Sequence, residues 1–391
     1  MHALVFGASG ITGWSIVNEI LKGYPTASTF DKVTALTSRH LSFKASQWPQ
    51  SPKLQMASGL DILAGDQSAL EASLAEKVDG IGNVTHVYFF AYIADADPDR
   101  EVSINASLLQ RAIVAVDKLS KSLKFVVVPT GTKAYGIHLL DRFPFKDRLP
   151  LVETLPRIPE PDASRMFYYK LIDMMRALSK DRPWSFVDVI PDNIIGFVPN
   201  NNMYCMAQSL GLYLSLYHEI EGHGAQVVFP GTMESWKAKI NDSSQDIVAR
   251  FSIYASLHPE TAAGESVNVA DNTTPTSWSQ KWPVICEYFG LRGVAPEKGS
   301  GPDPEKYLTT NMDRWVEMEK KYGLQTGRVT QATNFVGFPH FIMVLFNFDR
   351  HLDLDKMHRI WGSEKEEWDV KTSWWTALDR FKKAKIIPDF S

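Results

Sequence analysis

The opening residues restrict what this chain can fold into more than any other stretch does. Ala3, Leu4, Val5 and Phe6 form a short apolar run that leads straight into Gly7-Ala8-Ser9-Gly10-Ile11-Thr12-Gly13. The apolar positions that follow, Trp14, Ile16, Val17, Ile20 and Leu21, recur at helical spacing. A buried strand, a glycine turn and a helix in that order bring free backbone N–H groups and the positive end of a helix dipole to one point, where a pyrophosphate can sit. Gly7 permits the tight turn, Gly10 keeps a Cβ from standing between the backbone and the phosphates, and Gly13 lets the helix pack close. The spacing is GxxGxxG rather than GxGxxG, so the strand–turn–helix setting carries the argument. Ser9 and Ile11, within the turn, join the three glycines as candidate dinucleotide contacts.

The same alternation continues downstream. Strands are expected at 33–38, 53–56, 84–90, 125–128 and 184–190, with helical spacing from the Asp66 cap to 74, over 98–119 and over 164–178. Strands separated by helices of this length imply an α/β fold with a parallel, doubly wound sheet. The chain of 391 residues is long enough for a nucleotide domain over 1–200 and a smaller, mainly helical substrate region over 201–391, some of whose strands return to the sheet. Residues 136–162 break the pattern with five prolines and interleaved charges, and read as a long ordered, lid-like loop.

Composition excludes several classes. A formal net charge of −4 gives no basic footprint for nucleic acid. Two cysteines, Cys205 and Cys286, make neither a disulfide framework nor a zinc set and suit a reducing, cytoplasmic setting. A strand beginning at Ala3 leaves no room for a signal peptide, and the longest apolar run, 335–348, falls short of a membrane span and contains Pro339 and His340. It reads as core or pocket wall. His218-Glu219-Ile220-Glu221-Gly222-His223 imitates a zinc motif but has one residue too many between its histidines, and Gly222 weakens the helix that would present them. The three aspartates and His351 of 349–355 read as a solvated turn, so no metal is expected.

The strand ends carry the chemistry, because ligands of open parallel sheets bind at the C-terminal edge. The second strand ends in Ser38-Arg39-His40, with no acid to take an adenosine 2′-hydroxyl; a serine and a bidentate arginine suit a 2′-phosphate, hence NADP(H) rather than NAD(H). Asp61 and Ile62 fall at the adenine edge, and Phe90, Ala91 and Tyr92 follow the fourth strand as further cofactor candidates. The fifth strand runs into Thr130-Gly131-Thr132-Lys133, and the next helix opens with Tyr168-Tyr169. The usual Tyr-x-x-x-Lys pair of short-chain dehydrogenases is absent, since the fourth residues after these tyrosines are Ile172 and Asp173. Lys133 is left to supply the positive charge from the neighbouring loop.

That displaced lysine resembles the progesterone 5β-reductase and iridoid synthase family of atypical extended short-chain dehydrogenases. The family's Thr-Gly-x-Lys-His-Tyr and Asn-Phe-Tyr-Tyr-x-x-Glu-Asp are similar to Thr130-Gly131-Thr132-Lys133-Ala134-Tyr135 and Met166-Phe167-Tyr168-Tyr169-Lys170-Leu171-Ile172-Asp173. Its Arg-Pro-x-x-Ile-x-Gly-Phe segment resembles Ile190 to Phe197, which brings Pro191 and Ile194 into the cofactor set, and its Phe-Asn…Trp…Trp segment resembles Val267-Asn268 with Trp278 and Trp282. The resemblance implies a Rossmann fold with a C-terminal substrate region, and hydride transfer from NADPH to the β-carbon of a conjugated enone or enal. It implies a tyrosine, here Tyr168, that hydrogen-bonds the carbonyl oxygen as it becomes an enolate, and a lysine, here Lys133, that supports this charge and lowers the phenol's pKa. Tyr169 stands as the alternative tyrosine. The family's habit is a homodimer.

Departures keep other chemistries open. The family's histidine is Ala134, its Gly-Pro-Phe is Gly136-Ile137-His138, its Glu is Ile172, and the arginine before the proline is Ile190. Carbonyl 1,2-reduction, a non-redox cyclisation or isomerisation on the same fold, and an NADP(H)-sensing module are the competing readings. Met203, Tyr204, Met206, Leu210, Leu212, Tyr213 and Leu216, with Phe338, Phe341, Met343 and Phe346, suggest a hydrophobic small-molecule substrate in an apolar pocket or, equally, plain core.

Overall fold

The computed structural model describes residues 1–297, 301–329 and 337–390. Its centre is a seven-stranded parallel sheet: β1 (His2–Phe6), β2 (Lys32–Thr37), β3 (Leu54–Ser58), β4 (Val84–Phe89), β5 (Phe125–Pro129), β6 (Ser185–Pro191) and β7 (Ser266–Val269). The spatial order is β7-β6-β5-β4-β1-β2-β3. The order reverses between β1 and β4, which opens a crevice at their C-terminal ends.

Apart from the edge strand β3, which is half-buried throughout, the strands are largely buried on both faces, which is why they read as continuous apolar runs rather than an alternation. Ala3, Val5, Phe125 and Val127 join one core, whereas Leu4, Phe6, Val126 and Val128 join the other. The second core is closed by α2 (Gln67–Lys77), α3 (Pro98–Leu119) and α4 (Phe167–Ser179) through Leu70, Leu109, Ile113 and Leu171. Asp66 caps α2 by accepting the Ala69 N–H (2.9 Å), and Asp97 caps α3, whose bounds match the expected 98–119. The first core is continuous from α1 (Ile11–Leu21) to the C-terminal half, through α5 (Met206–Glu221), α6 (Gln245–Leu257) and α7 (Val370–Lys383). Trp14 shows how the halves meet: its ring packs edge-on to Phe197 (5.1 Å) and under the Arg380 guanidinium (5.0 Å).

Two sequence expectations change. Segment 349–355 is not a solvated turn: Arg350, Leu352 and Leu354 are buried in alternation with the half-buried Asp349, His351 and Asp353. A period of two was present, but aspartates at its half-buried positions masked it. The helix expected at 164–178 begins at Phe167, because a single 3₁₀ turn at Ala163–Arg165 and an extended Met166 precede it.

Segment 136–162 is a packed strap. The Leu151 N–H donates to the His351 carbonyl, the Asp353 N–H to the Leu151 carbonyl, and Asn268 Nδ2 to the Leu151 carbonyl (each 2.9 Å). Phe143, Phe145, Leu151 and Ile158 are buried in it.

Candidate active site

A cavity of about 490 Å³ lies along the crevice. At its floor the glycine turn is fixed by geometry. Gly7 has φ +73°, and a Cβ there would stand 2.6 Å from the Phe90 carbonyl, so both the backbone conformation and the close approach of the β4 end demand glycine. A Cβ at Gly13 would fall 2.3 Å from the Gly7 carbonyl oxygen, so the first turn of α1 lies directly on the loop. Gly10 differs: a Cβ there would meet little of the protein beyond the Gly7 oxygen at 3.2 Å. The space beside Gly10 is open to the cavity, no side chain caps α1, and no acid stands in its first turn. This cradle fits a pyrophosphate.

Ser9, Ile11, Ser38, Arg39, Asp61, Ile62, Phe90, Ala91, Tyr92, Thr130, Gly131, Pro191 and Ile194 line the same cavity with the three glycines. His40 does not line it. Thr37 Oγ1 donates to the Arg39 carbonyl (2.7 Å) and the Leu41 N–H donates to Ser58 Oγ (3.4 Å), so the chain turns away over β3 directly after Arg39. Arg39 is exposed at the rim.

Lys133 and Tyr168 both line the cavity. Lys133 is exposed and makes no ion pair among the described residues. The Tyr168 hydroxyl has no hydrogen-bond partner among the described residues and lies over Gly131, where a Cβ would come within 3.2 Å of it. Gly131 is extended (φ 168°), so what favours glycine there is the close Tyr168 hydroxyl rather than the backbone conformation. Tyr169 is already engaged: its hydroxyl donates to the Ala134 carbonyl (2.5 Å) and accepts from the Ile158 N–H (3.0 Å), with the Arg157 guanidinium 4.7 Å over its ring.

The expected lowering of the phenol's pKa is not found. Burial raises the pKa of Tyr168, and Glu101, Asp188 and Tyr204 push it the same way. Tyr168 is therefore a neutral O–H donor across the neutral range.

Several residues of the site escaped the sequence reading. Thr130 Oγ1 donates to Asp188 (2.7 Å), a carboxyl on β6 whose burial raises its pKa to about 6. Thr132 Oγ1 donates to Asp192 Oδ1 (2.8 Å), and Asp192 Oδ2 stands 3.3 Å from Arg350 Nε. Arg350 is 1% exposed and stacks on Phe346 at 4.4 Å. Thr132, Asp192, Asn193 and Phe346 line the cavity, so Arg350 binds the C-terminal segment to the loop that bears Lys133. An arginine between Asp349 and His351 carries no sequence signal for this.

The remaining wall is aromatic. Tyr92 stacks on Phe167 (5.5 Å, 22°), Phe167 touches Tyr168 (4.3 Å), and Tyr204 meets Phe338 edge-on (5.4 Å). Phe338, Phe341, Ile342 and Phe346 line the cavity, whereas Met343 is buried behind them. Phe335 and Val336 lie outside the described residues. Tyr204 also lines the cavity, but Met206, Leu210, Leu212, Tyr213 and Leu216 are core. Both outcomes of the pocket-or-core question thus occur within one segment. His218 Nδ1 pairs with the Phe289 carbonyl (2.6 Å), and among the described residues no three metal-ligating side chains converge. No described helix is long and apolar enough to cross a membrane.

Comparison with known proteins shows the family and the fold. Residues 3–388 match the model of the PRISE-like Rossmann-fold domain. Short chain dehydrogenase sirQ of Leptosphaeria maculans is 35% identical, over 99% of this chain and 97% of that protein. The 3-oxo-Delta(4,5)-steroid 5-beta-reductase of Arabidopsis thaliana is 25% identical, over 99% and 93%. Among solved structures, Bordetella bronchiseptica WbmH in complex with NAD+ superposes with a TM-score of 0.59 at 14% identity, covering 98% of both chains.

Proposed function

The chain belongs to the PRISE-like Rossmann-fold family of short-chain dehydrogenases, and from that premise we propose that it is an NADPH-dependent reductase of hydrophobic α,β-unsaturated carbonyl compounds. One observation carries the reading: a half-buried phenol, Tyr168, offers an uncommitted O–H to an aromatic cavity that is continuous with an open glycine cradle. The steroid reductase among its relatives supports the same class of reaction.

A bound nicotinamide dinucleotide supplies the hydride. Gly7, Gly10 and Gly13 would admit its pyrophosphate at the α1 N-terminus, and Arg39 and Ser38 would hold its adenosine phosphate. The Tyr168 O–H donates to the substrate's carbonyl oxygen, and that hydrogen bond strengthens as the oxygen takes on enolate charge. Its raised pKa keeps the proton in place as a donor at neutral pH. Lys133, exposed on the same cavity and without an ion pair among the described residues, adds positive potential to the developing oxyanion. The aromatic wall holds the apolar body of the substrate and excludes water from the reacting end.

The test is NADPH consumption with a cyclic enone, an aliphatic enal, a steroid enone and a simple ketone. Oxidation with the conjugated substrates, falling roughly a hundred- to a thousandfold in Tyr168→Phe, is the expected outcome. Lys133→Met should fall as well, while NADPH affinity persists in Tyr168→Phe. Turnover of the simple ketone alone would redirect the reading to 1,2-reduction. Tight NADPH binding without turnover of any of the four would overturn it.

A further inference from the structure

We propose that Tyr92 and Glu101 make the cavity selective for substrates that carry a hydroxyl or N–H group beyond the carbonyl, with the Tyr92 oxygen as acceptor. The place of the carbonyl rests on the reductase reading given above; the acceptor itself rests on the hydrogen bonds of Tyr92.

Three phenols line the cavity; Tyr204 packs beside Tyr92 with ring centroids 6.2 Å apart, and the other two, Tyr168 and Tyr92, have opposite polarity. Tyr168 keeps its proton free of any partner among the described residues, so it can donate. Tyr92 donates its proton to Glu101 Oε1 in the first turn of α3. A carboxylate is acceptor-only, so the Tyr92 proton is committed, and the phenolic oxygen presents lone pairs to an incoming group. The pair is held from behind. Asn105 Nδ2 donates to the Ile93 and Glu101 carbonyls (2.8 and 2.9 Å), and Asn105 Oδ1 accepts from the Ile93 N–H (3.0 Å), which fixes the chain after Tyr92 against α3.

The position suits a reader of the distal end of a substrate. Tyr92 is 39% exposed at the mouth, and its ring stacks on Phe167, which in turn contacts Tyr168. The two phenol rings therefore flank Phe167, with centroids 5.5 Å and 4.3 Å from its own, on one aromatic wall. A flat conjugated ketone with a polar hydrogen at its far end spans that wall. Burial, then the Glu101 contact and the neighbouring Tyr204 phenol, raise the pKa of Tyr92 above its ordinary value, so it stays protonated while its proton points at Glu101.

The probes are 4-(4-hydroxyphenyl)but-3-en-2-one and its methyl ether, which differ in one polar hydrogen. Their dissociation constants are measured by calorimetry on protein saturated with NADP+, a form that cannot turn either over. The phenol should bind roughly three- to tenfold more tightly than the ether, the worth of one hydrogen bond at a partly exposed site. Tyr92→Phe should bring the ratio to about one, and Glu101→Gln, whose amide can donate to Tyr92 and release its proton, should shrink or invert it. An unchanged ratio in Tyr92→Phe, equal binding of both probes, or binding of neither overturns the inference. Retained discrimination without turnover by the NADPH form would leave it standing and count against the reductase reading alone.

Discussion

Tyr168 and Tyr169 stand side by side at the start of α4, and only the partners of their hydroxyls tell them apart. Tyr169 spends both its proton and a lone pair on the backbone of Ala134 and Ile158, whereas Tyr168 faces the cavity with its proton uncommitted. No property of the Tyr-Tyr dipeptide reveals this, because the partners lie 35 and 11 residues away in the chain. Arg39 is the opposite case, a residue whose place was legible from its position after a strand that ends without an acid. It lines the rim. If it holds an adenosine 2′-phosphate, Arg39→Ala should reduce the preference for NADPH over NADH roughly ten- to a hundredfold, the range for a lost charge-assisted hydrogen bond. Equal loss of affinity for both dinucleotides, read from their dissociation constants, would deny it that task.

At the scale of elements, the strand–turn–helix unit at the N-terminus formed as its glycines demanded. The helices with strong caps, α2 and α3, begin where their aspartates stand. The strap over 136–162 did not announce its function. Its prolines marked the absence of regular structure, but its hydrogen bonds run to β7, to the 349–355 segment and to Tyr169, all distant in sequence. Of its residues, Ile137 lines the cavity. Tyr169 joins strap, α4 and the Lys133 loop, and Tyr169→Phe removes two hydrogen bonds at once. The variant should lose about 1–3 kcal/mol of stability in denaturant titration. It should also reduce turnover less than Tyr168→Phe does, since the donor itself is intact. A variant as stable as its parent would mean that the junction is held by the Arg157–Asp173 pair and packing instead.

For the whole molecule, one apolar core unites the Rossmann sheet with the C-terminal half, so native stability is shared across both. Its buried titratable groups make that stability depend on pH in two opposed ways. Burial raises Asp188 to about 6 and Asp271 to about 7, so the folded state retains protons that the unfolded chain has released, and stability falls as pH rises from about 4 through these values. His2, His86 and His138 are lowered to about 4 by burial, so they contribute stability that is lost as pH falls from about 6.5. The net curve partly cancels, and a difference between variants separates the terms. Between pH 4 and pH 7, Asp188→Asn should gain about 3 kcal/mol relative to its parent, two pKa units at 1.36 kcal/mol each. Parallel urea midpoints across that range would show that Asp188 does not titrate in this window.

The sequence by itself determined what depends on neighbours in the chain. It specified the glycine turn, the apolar strands, the capped helices, the parallel sheet they imply, and the two strand ends that carry Arg39 and Lys133. These follow from backbone sterics and hydrophobic period, which act over a few residues. The tertiary structure alone decided which tyrosine keeps its proton for a ligand. It also decided that Arg350 reaches Asp192 from the far end of the chain, and that burial raises rather than lowers the Tyr168 pKa. Each of those is a matter of hydrogen-bond partners and dielectric surroundings, and both are supplied by residues that the chain brings close only when it folds.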